Sequence, residues 1–152
     1  MNQAKLDVYS GVTPYLIISG AAEAIAFYKD VFSAREIVRV SRANGQVAHA
    51  ELRIGEARIM LADELPESMA HSPKSLGGSP VMLLLYVEDV DRTLQQASAA
   101  GAQIVRPATD LSYGDRTATM TDPFGHRWTV ATHKQDVPLD EMLLRAASGG
   151  KS

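Results

Sequence analysis

The residues with the clearest capacity for chemistry are His49 and Glu51, two apart in Val47-Ala48-His49-Ala50-Glu51-Leu52-Arg53-Ile54. On an extended strand, residues i and i+2 stand side by side on one face. An imidazole there can act as acid or base near neutral pH, and a neighbouring carboxylate can orient it. The plain alternative is an exposed charged strand face. Arg116 follows Tyr113-Gly114-Asp115, and its guanidinium can clamp a carboxylate or phosphate with two parallel hydrogen bonds. It can equally pin a loop by pairing with Asp115, Asp122 or Glu51. Tyr15, Met60, Met82, Tyr86, Tyr113 and Thr129 are the side chains suited to a small-molecule site that is mostly apolar with a few polar tips.

Other residues read as structural. Alternation puts Trp128 beneath a helix, and Asp122-Pro123-Phe124-Gly125 is a hairpin turn. The four histidines, 49, 71, 126 and 133, lack metal-ligand spacing, and His71 sits in a polar segment as a solvated side chain. Gly149-Gly150-Lys151-Ser152 mimics the end of a phosphate loop. However, Arg145 stands where the first glycine belongs, and no strand precedes the segment.

The elements that position these residues come in a repeated order. Residues 12–18 form a strand containing Pro14, which marks an edge or a strand start. Residues 21–32 follow helical spacing, with Ala21, Ile25, Tyr28 and Phe32 inward and Ser19 or Gly20 as cap. Strands follow at 35–41, 47–54 and 57–63, with turns at Asn44-Gly45 and Gly55-Glu56. Residues 64–79, broken by Pro66, Pro73 and Gly77-Gly78, read as a linker.

The order then restarts. Residues 81–87 form a strand so apolar that both faces should be covered. Asp89 caps a helix with Val90, Leu94 and Ala97 inward, ending at Gly101. Residues 103–106 form a short strand stopped by Pro107, and strands at 116–121 and 127–132 flank the Asp122 turn. A last amphipathic helix starts near Pro138, with Leu139, Leu143 and Ala146 on one face.

Strand–helix–strand–strand–strand thus occurs twice, so the fold class is α+β, built from two copies of one supersecondary unit. The expected organisation is a single domain over residues 1–135, with modules at 12–63 and 80–133 joined by the linker. A C-terminal helix at 136–147 and a disordered tail at 148–152 complete it.

Alternation also assigns faces. Ala48, Ala50, Leu52, Ile54, Ile59 and Leu61 belong under the first helix. Val47, His49, Glu51, Arg53, Arg58 and Met60 belong on the other face. Likewise Leu83, Leu85, Val87, Trp128 and Val130 lie under the second helix, with Met82, Leu84, Tyr86, Thr129, Ala131 and His133 opposite. A cavity of Tyr15, His49, Glu51, Met60, Met82, Tyr86 and Arg116 follows from this reading.

Bulk properties narrow the partners. The chain has 152 residues, 45% hydrophobic and 22% charged, with net charge −3 and no run of like charges. Nucleic acid and membrane surfaces reward clustered Lys and Arg, so neither is expected as a partner. With no cysteine, disulfides and thiolate metal sites are excluded. Residues 1–10 do not read as a signal peptide, and no apolar run reaches the ~20 residues of a membrane span. The expected localisation is cytoplasmic.

Six stretches carry a family resemblance. They are Thr13-Pro14-Tyr15-Leu16, Ala24-Ile25-Ala26-Phe27-Tyr28, His49-Ala50-Glu51-Leu52-Arg53-Ile54-Gly55 and Tyr86-Val87-Glu88-Asp89-Val90-Asp91, then Tyr113-Gly114-Asp115-Arg116 and Asp122-Pro123-Phe124-Gly125-His126-Arg127-Trp128. In this order they resemble the vicinal oxygen chelate superfamily (glyoxalases, bleomycin resistance proteins and extradiol dioxygenases), closest to its PhnB-like, glyoxalase-like bacterial members. The resemblance spans residues 12–133. It implies paired βαβββ modules whose curled mixed sheets enclose a cavity, and a homodimer whose modules are sometimes exchanged between chains.

The resemblance also places metal ligands at four strand positions, here Thr13, Glu51, Met82 and Thr129. Thr and Met are poor replacements for imidazole or carboxylate, so no family metal and no cofactor is expected. Fold does not select among the superfamily's chemistries. The first reading is a binder that sequesters or carries a small, mostly apolar compound. The alternative is a glyoxalase-like lyase or isomerase acting on a small carbonyl or thiol adduct, with His49 and Glu51 as acid–base groups and Arg116 as anion clamp. A dimeric scaffold with only a small cavity is a third possibility.

Overall fold

The computed structural model describes residues 11–149. The expected tail lies outside these residues apart from Ser148 and Gly149. The chain divides into two compact units, Met1–Leu76 and Gly77–Ser152.

In the first unit, β1 (Tyr15–Ile18), α1 (Ala21–Phe32), β2 (Arg35–Ser41), β3 (Val47–Ile54) and β4 (Ala57–Asp63) form a four-stranded sheet. Its order is β1-β4-β3-β2, with β1 parallel to β4 and the remaining pairs antiparallel. Leu16, Ile18, Ala50, Leu52, Ile59 and Leu61 are buried with Ala21, Ile25, Tyr28 and Phe32 of α1. Strand period two and helix period 3.6 thereby converge on one core.

Gly20, one of the two expected candidates, is the N-cap residue of α1, but it has no side chain to accept from the first turn. The cap comes from Asp63 at the end of β4. One of its oxygens accepts from the Gly20 and Ala21 N–H groups, and the other from Val47 N–H. A carboxylate suits a helix N-terminus because unpaired N–H groups and the positive dipole end meet there.

Residues 64–79, read as a linker, contain a 3-10 turn at Pro66–Ser68 and a short helix, α2 (Pro73–Leu76). Both prolines that signalled a break stand at first-turn positions, where no amide hydrogen is needed. Glu64 ties the segment together by accepting from the Ser72 N–H. The Ser72 hydroxyl, then that of Ser75, holds the Glu64 carboxyl down at about 2.

The second unit repeats the pattern with β5 (Met82–Tyr86), α3 (Val90–Ala99), β6 (Gln103–Asp110), β7 (Asp115–Thr121), β8 (Arg127–His133) and α4 (Leu139–Ala147). The sheet order is β5-β8-β7-β6, again with a parallel first-to-last pair. Asp89 caps α3 by accepting from Arg92 N–H.

Two expectations need correction here. Pro107 does not end the third strand, because β6 continues to Asp110 as an edge strand with register shifts on both sides of Arg106. A proline costs no ladder hydrogen bond at an edge bulge. β5 is not covered on both faces: Met82, Leu84 and Tyr86 are exposed. The last helix, α4, forms as expected, yet none of its residues is buried, and Leu139, Leu143 and Leu144 are all exposed.

Candidate functional site

The face of the first sheet opposite α1 is read from its register. Tyr15 lies opposite Met60, Met60 opposite Glu51, and Glu51 opposite Val38, forming one row across four strands. Glu51 is only 3% exposed. A carboxylate so buried needs a partner, and Arg58 of β4 supplies it, with Nη1 donating to Oε1 at 2.5 Å. His49 lies opposite Val40, and its Nδ1 is 2.8 Å from the Tyr15 hydroxyl. His49 and Glu51 thus share a strand but have separate partners. The sequence reading gave Arg58 a face without giving it a role.

The second unit places Tyr86 opposite Ala131, and Ala131 opposite Thr117, on the face away from α3. Asp115 and His133 form the next pair. The Tyr86 hydroxyl donates to Asp115 Oδ2 at 2.6 Å, and Asp115 Oδ1 lies 2.8 Å from His133 Nδ1. His133 Nε2 lies 2.7 Å from Asp136 Oδ1. With a carboxylate at each ring nitrogen, His133 donates from both only as the imidazolium.

The titrations follow this geometry. The Tyr86 hydrogen bond, then His133, holds the Asp115 carboxyl below its ordinary value. Asp115, then Asp136, raises the His133 imidazole, and Asp115 raises the Tyr86 phenol. Of this network, sequence reasoning had named Tyr86 and the facing of His133. Asp136 carried no signal, because it lies beyond the strand.

Arg116 belongs to the opposite face. It has the parity of Ala118 and Met120, which are buried on the α3 side, so it does not share a face with Tyr86. Its guanidinium pairs with Asp91 of α3 through Nε and Nη2, and with Asp110 of β6 through Nη1. Asp91, then Asp110, raises its pKa further. The partners named from sequence (Asp115, Asp122, Glu51) are therefore replaced by Asp91 and Asp110, which flank Arg116 across the sheet end. Asp91, Asp110, Asp115, Arg116 and Lys134 border a cavity of about 510 Å³ there. Tyr113 is partly exposed in the β6–β7 loop.

Of the positions aligned with metal ligands, Thr129 accepts or donates a hydrogen bond with Thr119 and contacts the Met82 sulfur, while Glu51 is engaged by Arg58. Among the described residues, no three His, Asp or Glu side chains gather in a metal-binding group. Trp128 is buried, and its Nε1 donates to Asp122, whose other oxygen accepts from the Phe124 and His126 N–H groups of the turn.

Two sheets of identical strand order, each with one helix-covered face and one face carrying mixed apolar and polar side chains, define an α+β architecture of repeated βαβββ units. The sequence matches the Glyoxalase/Bleomycin resistance protein/Dioxygenase superfamily over residues 10–130, and the chain belongs to that superfamily. An uncharacterized protein of Mycobacterium bovis is 38% identical over 148 residues, covering 95% of this chain and 97% of its own. The crystal structure of TioX from Micromonospora sp. ML1 is similar at a TM-score of 0.61 and 27% identity, covering 81% of this chain and 99% of TioX. A PhnB protein from Bacillus cereus shares the fold at a TM-score of 0.63 and 18% identity, covering 81% of this chain and 99% of that one.

Proposed function

We propose that the protein is a binder within its superfamily, working without the family metal as a cytoplasmic homodimer that sequesters or carries a small, mostly apolar compound. The supporting observation is the state of Glu51, the one carboxylate at a ligand-type position. It is buried and already neutralised by Arg58. Divalent cations need three or four good donors, and Thr13, Met82 and Thr129 do not complete the set. The open faces instead offer Tyr15, Met60, Met82, Leu84 and Tyr86 to an apolar ligand.

Elemental analysis of purified protein, paired with a thermal-shift screen with and without EDTA, tests this reading. The expected outcome is no stoichiometric divalent metal, an unchanged melting temperature in EDTA, and stabilisation by apolar compounds through mass action. One Zn, Ni, Mn or Fe per chain, removed by EDTA with loss of stability, overturns it.

One observation favours a second reading, in which the protein acts on a small carbonyl or thiol adduct. The Tyr15 hydroxyl, 2.8 Å from His49 Nδ1, holds the imidazole in a fixed orientation, the arrangement an acid–base group needs. On this reading His49→Ala abolishes turnover, and Glu51→Ala reduces it by disturbing the same face. Glu23→Ala, on the exposed side of α1, changes neither binding nor turnover.

A further inference from the structure

Arg106 of β6 carries a buried guanidinium nitrogen that no hydrogen bond within the described residues meets. The register explains how it reaches the open face. Ile104 lies opposite Met120, on the α3 side, and Arg106 lies opposite Thr119, on the open side. Residues two apart on a regular strand share a face; these two do not, because the register shift at Val105 inverts the alternation. A second shift, spanning Pro107 and Ala108, follows immediately, so Arg106 is bracketed by two bulges.

The first unit has the same device. Its β2 shifts register between Glu36 and Val38, and Val38 faces Glu51 as Arg106 faces Thr119. In that row the charge of Glu51 is met internally by Arg58. In the second unit, the row Arg106–Thr119–Thr129–Leu84 ends on a guanidinium at one side and an exposed leucine at the other. The guanidinium donates from Nη2 to the Thr117 hydroxyl at 3.3 Å, and among the described residues no carboxylate forms an ion pair with it. Its Nε is the only buried side-chain nitrogen or oxygen without a hydrogen-bond partner among the described residues. A buried unmet donor is costly, and a cationic one more so. A planar guanidinium fork matches the two oxygens of an oxyanion.

We propose that Arg106 anchors the anionic head of an amphiphilic ligand, a carboxylate or phosphonate, whose apolar body lies over Thr119, Thr129 and Leu84. The inference rests on the proposed binding function and names its ligand class. Three strand spacings give the row a length of ~14 Å, enough for a medium-chain acid.

Calorimetric titration with octanoate, octylphosphonate and uncharged octanamide tests it, on the wild type and on Arg106→Gln and Arg106→Lys. The wild type should bind at least one anion ~10-fold more tightly than octanamide, a preference lost in Arg106→Gln and weakened in Arg106→Lys, which keeps charge but not the fork. Whichever anion binds better identifies the head group. Unliganded melting temperatures of the variants show that they are folded. Three results overturn the anchor: equal affinity for octanamide, a preference surviving Arg106→Gln, or binding of neither anion. Octanamide binding without anion preference leaves the broader binding reading standing, whereas failure of every compound in the apolar screen removes both.

Discussion

His133 is clasped by Asp115 and Asp136, and its chemistry can be followed by titration. Asp115 and Asp136 raise its folded pKa. Its contribution to stability is therefore complete below the unfolded imidazole value and fades as pH rises through the higher folded value. Asp115 is lowered by Tyr86 and His133, so its contribution is present above the unfolded carboxylate value and fades as pH falls through the folded one. The network holds best between those limits. An NMR titration of the His133 ring should show a pKa above the ordinary imidazole range, and Asp136→Asn should lower it. A His133 value unmoved by Asp136→Asn would contradict the clasp.

Glu51 and Arg58 support a second residue-scale prediction. Arg58→Met leaves a buried carboxylate without its cation and should cost about 1–3 kcal/mol in denaturant unfolding. The double variant Arg58→Met/Glu51→Leu should recover most of the loss, because apolar side chains of similar size replace a buried pair well. A double variant no better than the single would show that Glu51 is held by something other than the pair.

Among the elements, legibility followed regularity. Strand alternation in β3 and β4 placed Glu51, Met60, Ala50 and Leu52 on their proper faces, since no register shift falls within that pairing. The face of Arg106 was hidden by a bulge that leaves no residue-type signature, and Pro107 looked like a stop when it sits in an edge irregularity. Arg116 was grouped with the cavity residues without a face of its own, whereas its parity with Ala118 and Met120 puts it on the helix-covered side. The α1 cap was sought next to the helix, while the carboxylate that serves it, Asp63, lies far along the chain.

Gly114 gives an element-scale test. Its φ is +100°, and a Cβ there would fall 2.0 Å from the Gln135 carbonyl oxygen, whose own residue, with Lys134, donates N–H groups to Gly114 O. Gly114→Ala should therefore push the 134–137 segment off the β6–β7 loop and cost about 2–4 kcal/mol. Faster amide exchange at Lys134 and Gln135 would report the displacement, and unchanged exchange would refute it.

At the scale of the whole chain, each unit has an open sheet face, and α4 carries Leu139, Leu143 and Leu144 exposed. Amphipathic helices are stabilised mainly by burying their apolar side. That supports the homodimer proposed above, and light scattering across micromolar concentrations should give twice the chain mass. A monomer throughout that range counts against it. Deleting residues 139–152 separates the role of α4: a truncated chain that remains dimeric assigns the contact to the sheets.

The parallel pairing of each unit's first strand with its last has a consequence for synthesis. Tyr15 leaves the ribosome long before Met60, the residue it lies against, and Met82 likewise precedes Arg127. At about 5–20 residues per second, β1 and β5 each wait seconds as unpaired edges in the nascent chain. α1 waits about as long for the Asp63 carboxylate that caps its N-terminus. Neither half can finish folding until its final strand emerges, so ribosome stalling inside β4 or β8 should leave the most chaperone-dependent intermediates.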